Sequence, residues 1–367
     1  IAIIGFGNHV VKNVMPCFDA MSQINVKAIF VRDVPRYQRD YPDWRDLFSD
    51  DLSGLFGIDD IQVIYIATPI STHFEYATQA LEAGKHVWLE KPLTSGLDNS
   101  KMLADKARAA RLFLGEISMY QFHRQFAEME RIISEKISSG ERVIGAQARF
   151  SIPELDSDNI RYQKELGGGA LLDVGYYPLS AMVRLFGTPD AIEANGFLCS
   201  KREVDLSGSA MLTYDGFSAH CIWAIGSAYH NEIEISFEKS TIRIPRAFSK
   251  PADLETEISI IGNFGQAEEP IKVPGDDQFS NIFMAFCETI SSDDPNVYNE
   301  FLQLPLRNAN TVAHSGINLA ACLCVFDQIF SQFHAIRFEK CNRHRTAKFE
   351  ITFLIAFPNW ASRAGLD

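Results

Sequence analysis

The sequence predicts an α/β fold, in which a doubly wound parallel sheet is followed by an α+β region with a mostly antiparallel sheet. Three observations support this prediction. Short apolar runs alternate with helical patterns up to about residue 118. A glycine-rich turn joins the first apolar run to the first helix. Beyond residue 118 the apolar runs follow one another with turn signals between them, which is typical of antiparallel strands.

The first half alternates strand and helix from the first residues onward. After the opening run I-A-I-I, the pattern predicts strands at 26–31, 63–67, 86–90 and 112–115, and helices at 10–20, 72–84 and 98–110. This order predicts a dinucleotide-binding Rossmann domain over residues 1–118.

The second half begins with a long amphipathic helix and continues mainly as strands. The predicted helices are 122–138, 171–186, 278–291 and 308–332, and the predicted strands are 143–151, 190–199, 207–214, 217–226, 231–238 and 241–244. The two late helices are expected to close the antiparallel sheet. We assign residues 119–332 to a substrate and oligomerisation domain and leave 333–367 as an unassigned tail.

Composition excludes several classes of protein. The chain of 367 residues is long enough for two domains. Its net charge of -13 argues against a nucleic-acid partner. No apolar run approaches the roughly 20 residues of a membrane helix, and no basic segment before the first strand suggests a signal peptide. Seven cysteines without a framework indicate reduced thiols in a cytoplasm, and the C-L-C of residues 322–324 lacks the second pair of a zinc site, so no metal is expected.

The glycine turn is the first candidate for a binding site. In such a turn the first glycine permits the tight bend, and the second lets the backbone approach a pyrophosphate at the helix N-terminus. Val10 occupies the third glycine position, so the pattern is incomplete and an ordinary βα turn remains an alternative. The cofactor residues predicted here are Gly5, Phe6, Gly7, Asn8 and His9.

The end of the second strand bears on the choice between NAD(H) and NADP(H). An acidic residue there binds the ribose 2′-hydroxyl, and an arginine suits a 2′-phosphate. Arg32 is the first side chain if the strand ends at Val31, with Arg36 close behind, and this favours NADP(H). If the strand ends two residues later, Asp33 favours NAD(H) instead, and Arg32 is then only a solvated charge.

A charged pair and a proline end the fourth predicted strand, at Glu90-Lys91-Pro92. Together with I-A-T-P at 66–69, Q-A-L-E-A-G-K-H-V at 79–87 and N-I-R-Y-Q-K-E-L-G-G-G-A-L-L-D-V-G-Y-Y-P-L at 159–179, this segment resembles the Gfo/Idh/MocA family. The family is named after glucose-fructose oxidoreductase and inositol dehydrogenase. The resemblance covers roughly residues 1–330.

The resemblance implies a nicotinamide-dependent oxidoreductase with an open-faced antiparallel sheet beside its Rossmann domain. Family members act mostly on sugars, cyclitols and similar polyols or ketones. The catalytic residues that it implies are Lys91, Asp173 and Tyr177; many members have histidine where this chain has Tyr177. Further predicted cofactor contacts are Ala67, Thr68, Pro69, His73, Glu90 and Lys91. The predicted substrate contacts are Lys91, His123, Arg161, Asp173 and Tyr177, although His73 and His123 also suit a structural role.

The chemistry of these residues agrees with ketone reduction. The reaction needs a proton donor within hydrogen-bond reach of the substrate oxygen. The phenol of Tyr177 is such a donor if a nearby ammonium group lowers its pKa, and Lys91 can supply that field and bond the developing alkoxide. Taken singly, Lys91 could be a surface charge, Asp173 a helix cap and Tyr177 a half-buried aromatic.

The leading hypothesis is an NADP(H)-dependent oxidoreductase of a sugar or keto-sugar, which can be nucleotide-linked. One alternative is an NAD-dependent polyol or inositol dehydrogenase. Another is a relative that binds nucleotide but regulates or scaffolds instead of turning over. The family resemblance also implies a dimer or tetramer formed through the antiparallel sheet.

Overall fold

The first sheet contains six parallel strands. The computed structural model describes residues 1–199 and 201–314, and these residues form two sheets. The strands of the first are β1 Ala2–Ile4, β2 Ala28–Phe30, β3 Phe48–Ser49, β4 Val63–Ile66, β5 His86–Glu90 and β6 Leu114–Ile117. Their spatial order is β3-β2-β1-β4-β5-β6, so the strand order reverses beside β1. Buried strands rich in isoleucine and valine suit a parallel sheet that is covered on both faces.

The helices of this half lie between its strands in the chain. They are α1 Met15–Ala20, α2 Val34–Asp40, α3 Leu52–Phe56, α4 His73–Glu82 and α5 Leu97–Ala110. A π-helical segment, Val10–Val14, leads into α1. This wider turn begins at the residue in the third glycine position, Val10, whose side chain is fully buried. The sequence pattern did not predict α2, α3 or β3.

The second sheet contains eight strands. They are β7 Val143–Ile152, β8 Ala191–Cys199, β9 Val204–Tyr214, β10 Phe217–Ile225, β11 His230–Phe237, β12 Ser240–Pro245, β13 Thr256–Gly262 and β14 Ile271–Val273. Their order is β14-β13-β12-β11-β7-β10-β9-β8. Neighbours are antiparallel except β7 and β10, which are parallel. The predicted fold class is therefore confirmed.

Four α-helices lie in the described part of the second half. They are α6 Arg124–Ser138, α7 Tyr176–Phe186, α8 Gln278–Ser291 and α9 Pro295–His314. The α8 residue Phe283 stacks on Trp88 of β5, with ring centroids 5.5 Å apart, and Phe286 packs against Phe113. Residues that the sequence pattern assigned to the second domain thus complete the core of the first sheet. The boundary at residues 118 and 119 stays a prediction.

Three predicted elements have bounds in the structure that call for an explanation. The strand expected at 112–115 is shifted to Leu114–Ile117, because Arg111 adopts a left-handed conformation and the Leu112 amide closes the end of α5 on the Ala107 carbonyl. The strand expected at 26–31 is shorter. The last helix begins at Pro295 instead of residue 308, since proline fits the first turn of a helix. Its predicted end and the tail at 333–367 lie outside the described residues.

Two further observations concern the described residues only. None of their helices is both long and apolar enough to cross a membrane. Within the same residues, no group of three or more histidine, cysteine, aspartate or glutamate side chains is placed to hold a metal ion.

Candidate functional site

A cavity of about 830 Å³ opens at the carboxyl ends of the parallel strands. Its walls come from the glycine turn, from the turns after β4 and β5, and from the segment that leads into α7. Ligands of open α/β sheets bind at this edge, where the strand order reverses. The predicted site residues that line it are Gly7, Asn8, His9, Ala67, Thr68, Pro69, His73, Glu90, Lys91, Arg161, Asp173 and Tyr177.

The two glycines of the turn have different environments. Gly5 has φ +90°, and a Cβ atom there would lie 2.8 Å from the Ala67 carbonyl oxygen, so only glycine fits. A Cβ on Gly7 would meet no atom within 4 Å, and Gly7 lines the cavity. That open space beside the backbone is what a pyrophosphate needs, so the turn fits a dinucleotide. The side chain of Phe6 instead packs in the core against Tyr41.

His9 and Glu90 join the glycine turn to the end of β5. The Asn13 amide donates to His9 Nδ1 over 3.0 Å, so the proton of a neutral ring lies on Nε2, which faces Glu90 Oε1 at 3.1 Å. The Tyr65 hydroxyl donates to the same carboxylate oxygen at 2.8 Å. Burial acts to raise the pKa of Glu90, but the His9 and Tyr65 contacts outweigh it and hold the pKa below its usual value.

An arginine at the start of α2, Arg36, is one of the residues that line the cavity. Strand β2 ends at Phe30, and the Asp33 carboxylate accepts the Arg36 amide as the N-cap of α2, at 3.2 Å. Asp33 is thus engaged by the backbone. Arg36 lines the cavity, whereas Arg32 is exposed and lies outside its walls. Arg32 stays a prediction, and of the two arginines named from the sequence it is Arg36 that lines the cavity.

Lys91 and Asp173 form a buried ion pair. Lys91 Nζ donates to Asp173 Oδ1 at 2.7 Å and to the Asp173 carbonyl oxygen at 3.0 Å, and the Arg161 guanidinium also donates to the Asp173 carboxylate. Burial acts to raise the pKa of Asp173, but both cations outweigh it and hold that pKa well below the usual range. Burial acts to lower the pKa of Lys91, and the Asp173 carboxylate reverses this, so the pKa is raised and the ammonium stays charged.

Tyr177 lies beside this pair. Lys91 Nζ is 4.7 Å from the centre of the Tyr177 ring, and the hydroxyl has only the Met119 sulfur, at 3.9 Å, as a hydrogen-bond partner among the described residues. The π-helical segment Leu171–Gly175 precedes α7 and brings Asp173 and Tyr177 to the same cavity. The expectation that Lys91 lowers the pKa of Tyr177 was wrong for the net shift. Burial raises that pKa, and Lys91 only partly offsets it, so the phenol keeps its proton.

The two histidines predicted as contacts have structural partners. The two ring nitrogens of His73 lie 3.0 Å from the carbonyl oxygens of Pro92 and Thr68, so the ring sits between two strand-end turns and a neutral ring donates to one of them. His123 caps α6 by accepting the Gln125 amide at 3.0 Å and does not line the cavity. For both residues the geometry favours the structural alternative.

A buried carboxylate behind the site was missed by the sequence analysis. Glu116 lies near the end of β6, is 6% exposed, and accepts hydrogen bonds from the Leu93 amide and the Tyr176 hydroxyl. The signal in the sequence is a carboxylate inside the apolar run L-F-L-G-E-I. Charged residues are seldom fully buried unless they are partnered.

The parallel sheet, the glycine turn and the cavity together define a dinucleotide-dependent enzyme. Residues 1–118 match the oxidoreductase family with an NAD-binding Rossmann fold, and residues 131–243 match the GFO/IDH/MocA C-terminal domain. The chain belongs to the Gfo/Idh/MocA family, and it is an oxidoreductase that uses a nicotinamide cofactor.

The relatives described next match this chain over 54% to 86% of its length. A dTDP-3,4-didehydro-2,6-dideoxy-alpha-D-glucose 3-reductase from Saccharopolyspora spinosa is 30% identical, over 86% of this chain and 96% of the relative. A scyllo-inositol 2-dehydrogenase (NADP(+)) from Bacillus subtilis is 32% identical, over 54% of this chain and 60% of the relative. The crystal structure of a 3-ketoreductase from Actinomadura kijaniata with NADP and TDP-benzene is similar at TM-score 0.77 and 29% identity, covering 85% of this chain and 95% of that chain.

Proposed function

We propose that this enzyme reduces the carbonyl group of a nucleotide-linked keto-sugar with NADPH. The observation that carries the proposal is the placement of Lys91, Asp173 and Tyr177 in one cavity with the glycine turn. Similarity to a dTDP-sugar 3-reductase over 96% of that relative supports the substrate class. The cavity of about 830 Å³ lies in the size range of cofactor and ligand sites.

Each residue of the cluster has a separate part in the reaction. The nicotinamide, when bound, supplies the hydride for the carbonyl carbon. The Tyr177 phenol keeps its proton because burial raises its pKa, and it gives that proton to the carbonyl oxygen. The Lys91 ammonium stabilises the negative charge that develops on the same oxygen. Asp173 holds the ammonium in place through two of its oxygens, with Arg161 as the further partner of its carboxylate.

The cofactor preference rests on both the chain and its relatives. The Asp33 carboxylate, which would favour NAD(H), is engaged as the cap of α2. Arg36 at the cavity wall and Arg32, which is exposed shortly after β2, are the candidate cations for a 2′-phosphate. A relative of known structure was crystallised with NADP, and another is named for NADP(+). These observations support NADP(H) over NAD(H).

The test is a turnover assay with a dTDP-linked keto-sugar. Oxidation of NADPH is followed by absorbance, first with the nucleotide sugar and then with the same sugar lacking the nucleotide. We expect turnover with the linked sugar, and a much smaller kcat/KM without the nucleotide. Thermal shifts with NADP and NAD measure the cofactor preference, because a ligand that binds only the folded state raises its stability.

A second candidate is a dehydrogenase of inositol or a related polyol. It is supported by the 32% identity to the scyllo-inositol 2-dehydrogenase over about half of this chain. Oxidation of scyllo-inositol with NADP, in the absence of keto-sugar reduction, would favour this candidate. A non-catalytic regulatory relative is disfavoured because the ion pair of Lys91 and Asp173 and the phenol of Tyr177 are all in place.

The proposal includes a homo-oligomer that forms through the outer face of the second sheet, in a cytoplasmic setting. Met211 on β9 and Phe197 on β8 point outward with large exposed apolar side chains. Light scattering on the wild type and on a Met211→Asp variant tests this part. A monomeric wild type would contradict it.

A further inference from the structure

Glu116 is a buried acid that the proposed reaction does not use directly. It lies on β6, opposite Leu89 of β5, at the end of the sheet that carries the cavity. Burial raises its pKa, although the hydrogen bonds that it accepts act to lower it. Burying a carboxylate is costly for the free energy of folding, and an apolar residue would fill the same place without that cost.

The hydrogen bonds of Glu116 run to two different segments. The Leu93 amide donates to Oε1 at 2.6 Å, and the Tyr176 hydroxyl donates to Oε2 at 2.5 Å. Two further side chains bond this pair of residues. The Ser118 hydroxyl donates to Oε2 of Glu116 at 3.3 Å, and the Asn308 amide donates to the Tyr176 oxygen at 3.2 Å. The carboxylate therefore has a partner on each of its oxygens.

These two segments carry the two groups that act on the substrate oxygen. Leu93 lies two residues after Lys91, in the turn that follows β5, and Tyr176 is the residue before Tyr177 at the start of α7. The turn and the helix are distant in the chain, so their relative position depends on tertiary contacts. A single carboxylate bonds both of them, behind the wall of the cavity.

We propose that Glu116 is a positioning residue, which fixes the distance between the Lys91 ammonium and the Tyr177 phenol by joining the turn to the helix. This inference rests on the proposed function for its kinetic consequence. Its geometric part, the coupling of the two segments, holds whatever the substrate. A displacement of about 1 Å between acting groups is enough to lower a rate substantially.

The first variant is Tyr176→Phe, which removes the hydroxyl that bonds Glu116, Ser118 and Asn308 and leaves the bond between Glu116 and the Leu93 amide. Its matched control is Tyr298→Phe, since the Tyr298 hydroxyl also donates from a buried ring, to the Ile290 carbonyl at 3.1 Å, away from the cavity. Both variants lose one tyrosine hydroxyl. We expect the larger loss of thermal stability in Tyr176→Phe, because its hydroxyl has more hydrogen-bond partners, and, at a temperature well below both Tm values, a fall in kcat of about tenfold or more only in that variant.

The second variant is Glu116→Gln, which keeps the side-chain shape but replaces one acceptor oxygen with a donor. The double variant of Glu116 and Tyr176 should be no slower than the slower single variant, because the two residues form one bridge. The KM for NADPH should stay within about twofold in all of them, since a positioning defect acts on the chemical step.

Hydrogen exchange gives a readout that needs no substrate. Without ligand, Tyr176→Phe should exchange faster than wild type in peptides covering 88–97 and 170–178, and Tyr298→Phe should not. If the wild type fails to reduce any keto-sugar while this exchange difference is present, the proposed function fails and the bridge stands. If exchange in these peptides is unchanged, or if kcat of Tyr176→Phe equals that of Tyr298→Phe, the positioning role is overturned.

Discussion

Replacing Lys91 with methionine tests the proposed reaction at its most specific residue. Methionine keeps most of the length of the side chain but removes the ammonium group. In the native enzyme the Lys91 side chain is 10% exposed, and its ammonium group donates to two oxygens of Asp173, at 2.7 and 3.0 Å. The change therefore deletes a positive charge next to Tyr177 while leaving the glycine turn untouched.

Two effects of different size follow from this geometry. Loss of one charge-stabilising donor lowers kcat by about 10²- to 10³-fold, which corresponds to roughly 3 to 4 kcal/mol of transition-state stabilisation. Breaking a buried ion pair typically costs about 3–5 kcal/mol of folding free energy when a charge is left unpaired. Here Asp173 keeps Arg161 as a partner, so the loss should be smaller, about 1–3 kcal/mol.

The assay is steady-state oxidation of NADPH with a dTDP-linked keto-sugar, beside thermal unfolding and a cofactor titration. Tyr177→Phe removes the proton donor and is expected to lower kcat by about 10²-fold or more. The double variant of Lys91 and Tyr177 should be little slower than the slower single variant, because both groups act on one oxygen. NADPH affinity should change little for Tyr177→Phe and modestly for Lys91→Met. Near-normal turnover of Lys91→Met would refute the mechanism and leave Lys91 as a structural charge.

Four further variants test separate parts of the structure. Gly7→Val should weaken NADP and NAD alike with little change in Tm, because its side chain enters open cavity space; unchanged titrations would make the turn purely structural. Arg32→Asp should weaken NADP much more than NAD, and equal losses would exclude a 2′-phosphate contact and leave Arg36→Asp to be tried. Asp173→Asn should lower kcat and cost about 3 kcal/mol of stability by leaving the buried Lys91 ammonium without its counter-charge, and a native Tm would contradict the ion pair. Burial lowers the pKa of Lys250 to about 7. Between pH 7 and about 10 the unfolded chain therefore binds more protons than the folded chain, and the stability of the fold rises with pH. Lys250→Met should flatten this rise of Tm with pH, and an unchanged slope would show that Lys250 titrates normally.

Much of the fold could be predicted because its signals are local. The alternation of short apolar runs with helical patterns, the glycine turn and Glu90-Lys91-Pro92 are readable along the chain, and they predicted both the parallel sheet and the family. The strands β13 and β14 were missed, being the outermost strands at one edge of the second sheet. The packing of α8 on β5 was missed because helix periodicity marks an apolar face but not the surface that covers it.

Features of the candidate site likewise fall into those that the sequence predicted and those that it did not. Lys91, Asp173 and Tyr177 were predicted from motifs, but the partnership of Asp173 with Arg161 and the bridge through Glu116 depend on contacts between segments that are distant in the chain. The direction of the Tyr177 pKa was also outside the reach of the sequence, since it depends on how completely the phenol is buried.

The sequence by itself determined the order of the elements, the glycine turn and the residue types that can move a proton. The tertiary structure alone decided which of those groups contact each other, which charges are paired and whether the pKa of each buried group is raised or lowered. The physical reason is that the two kinds of information depend on interactions that act over different separations along the chain. Backbone propensity and periodicity act over a few residues, whereas hydrogen bonds and desolvation depend on distances of a few ångströms between segments far apart in the chain. Lys91 and Asp173 are 2.7 Å apart only because the turn after β5 and the segment before α7, far apart in the chain, meet at one cavity.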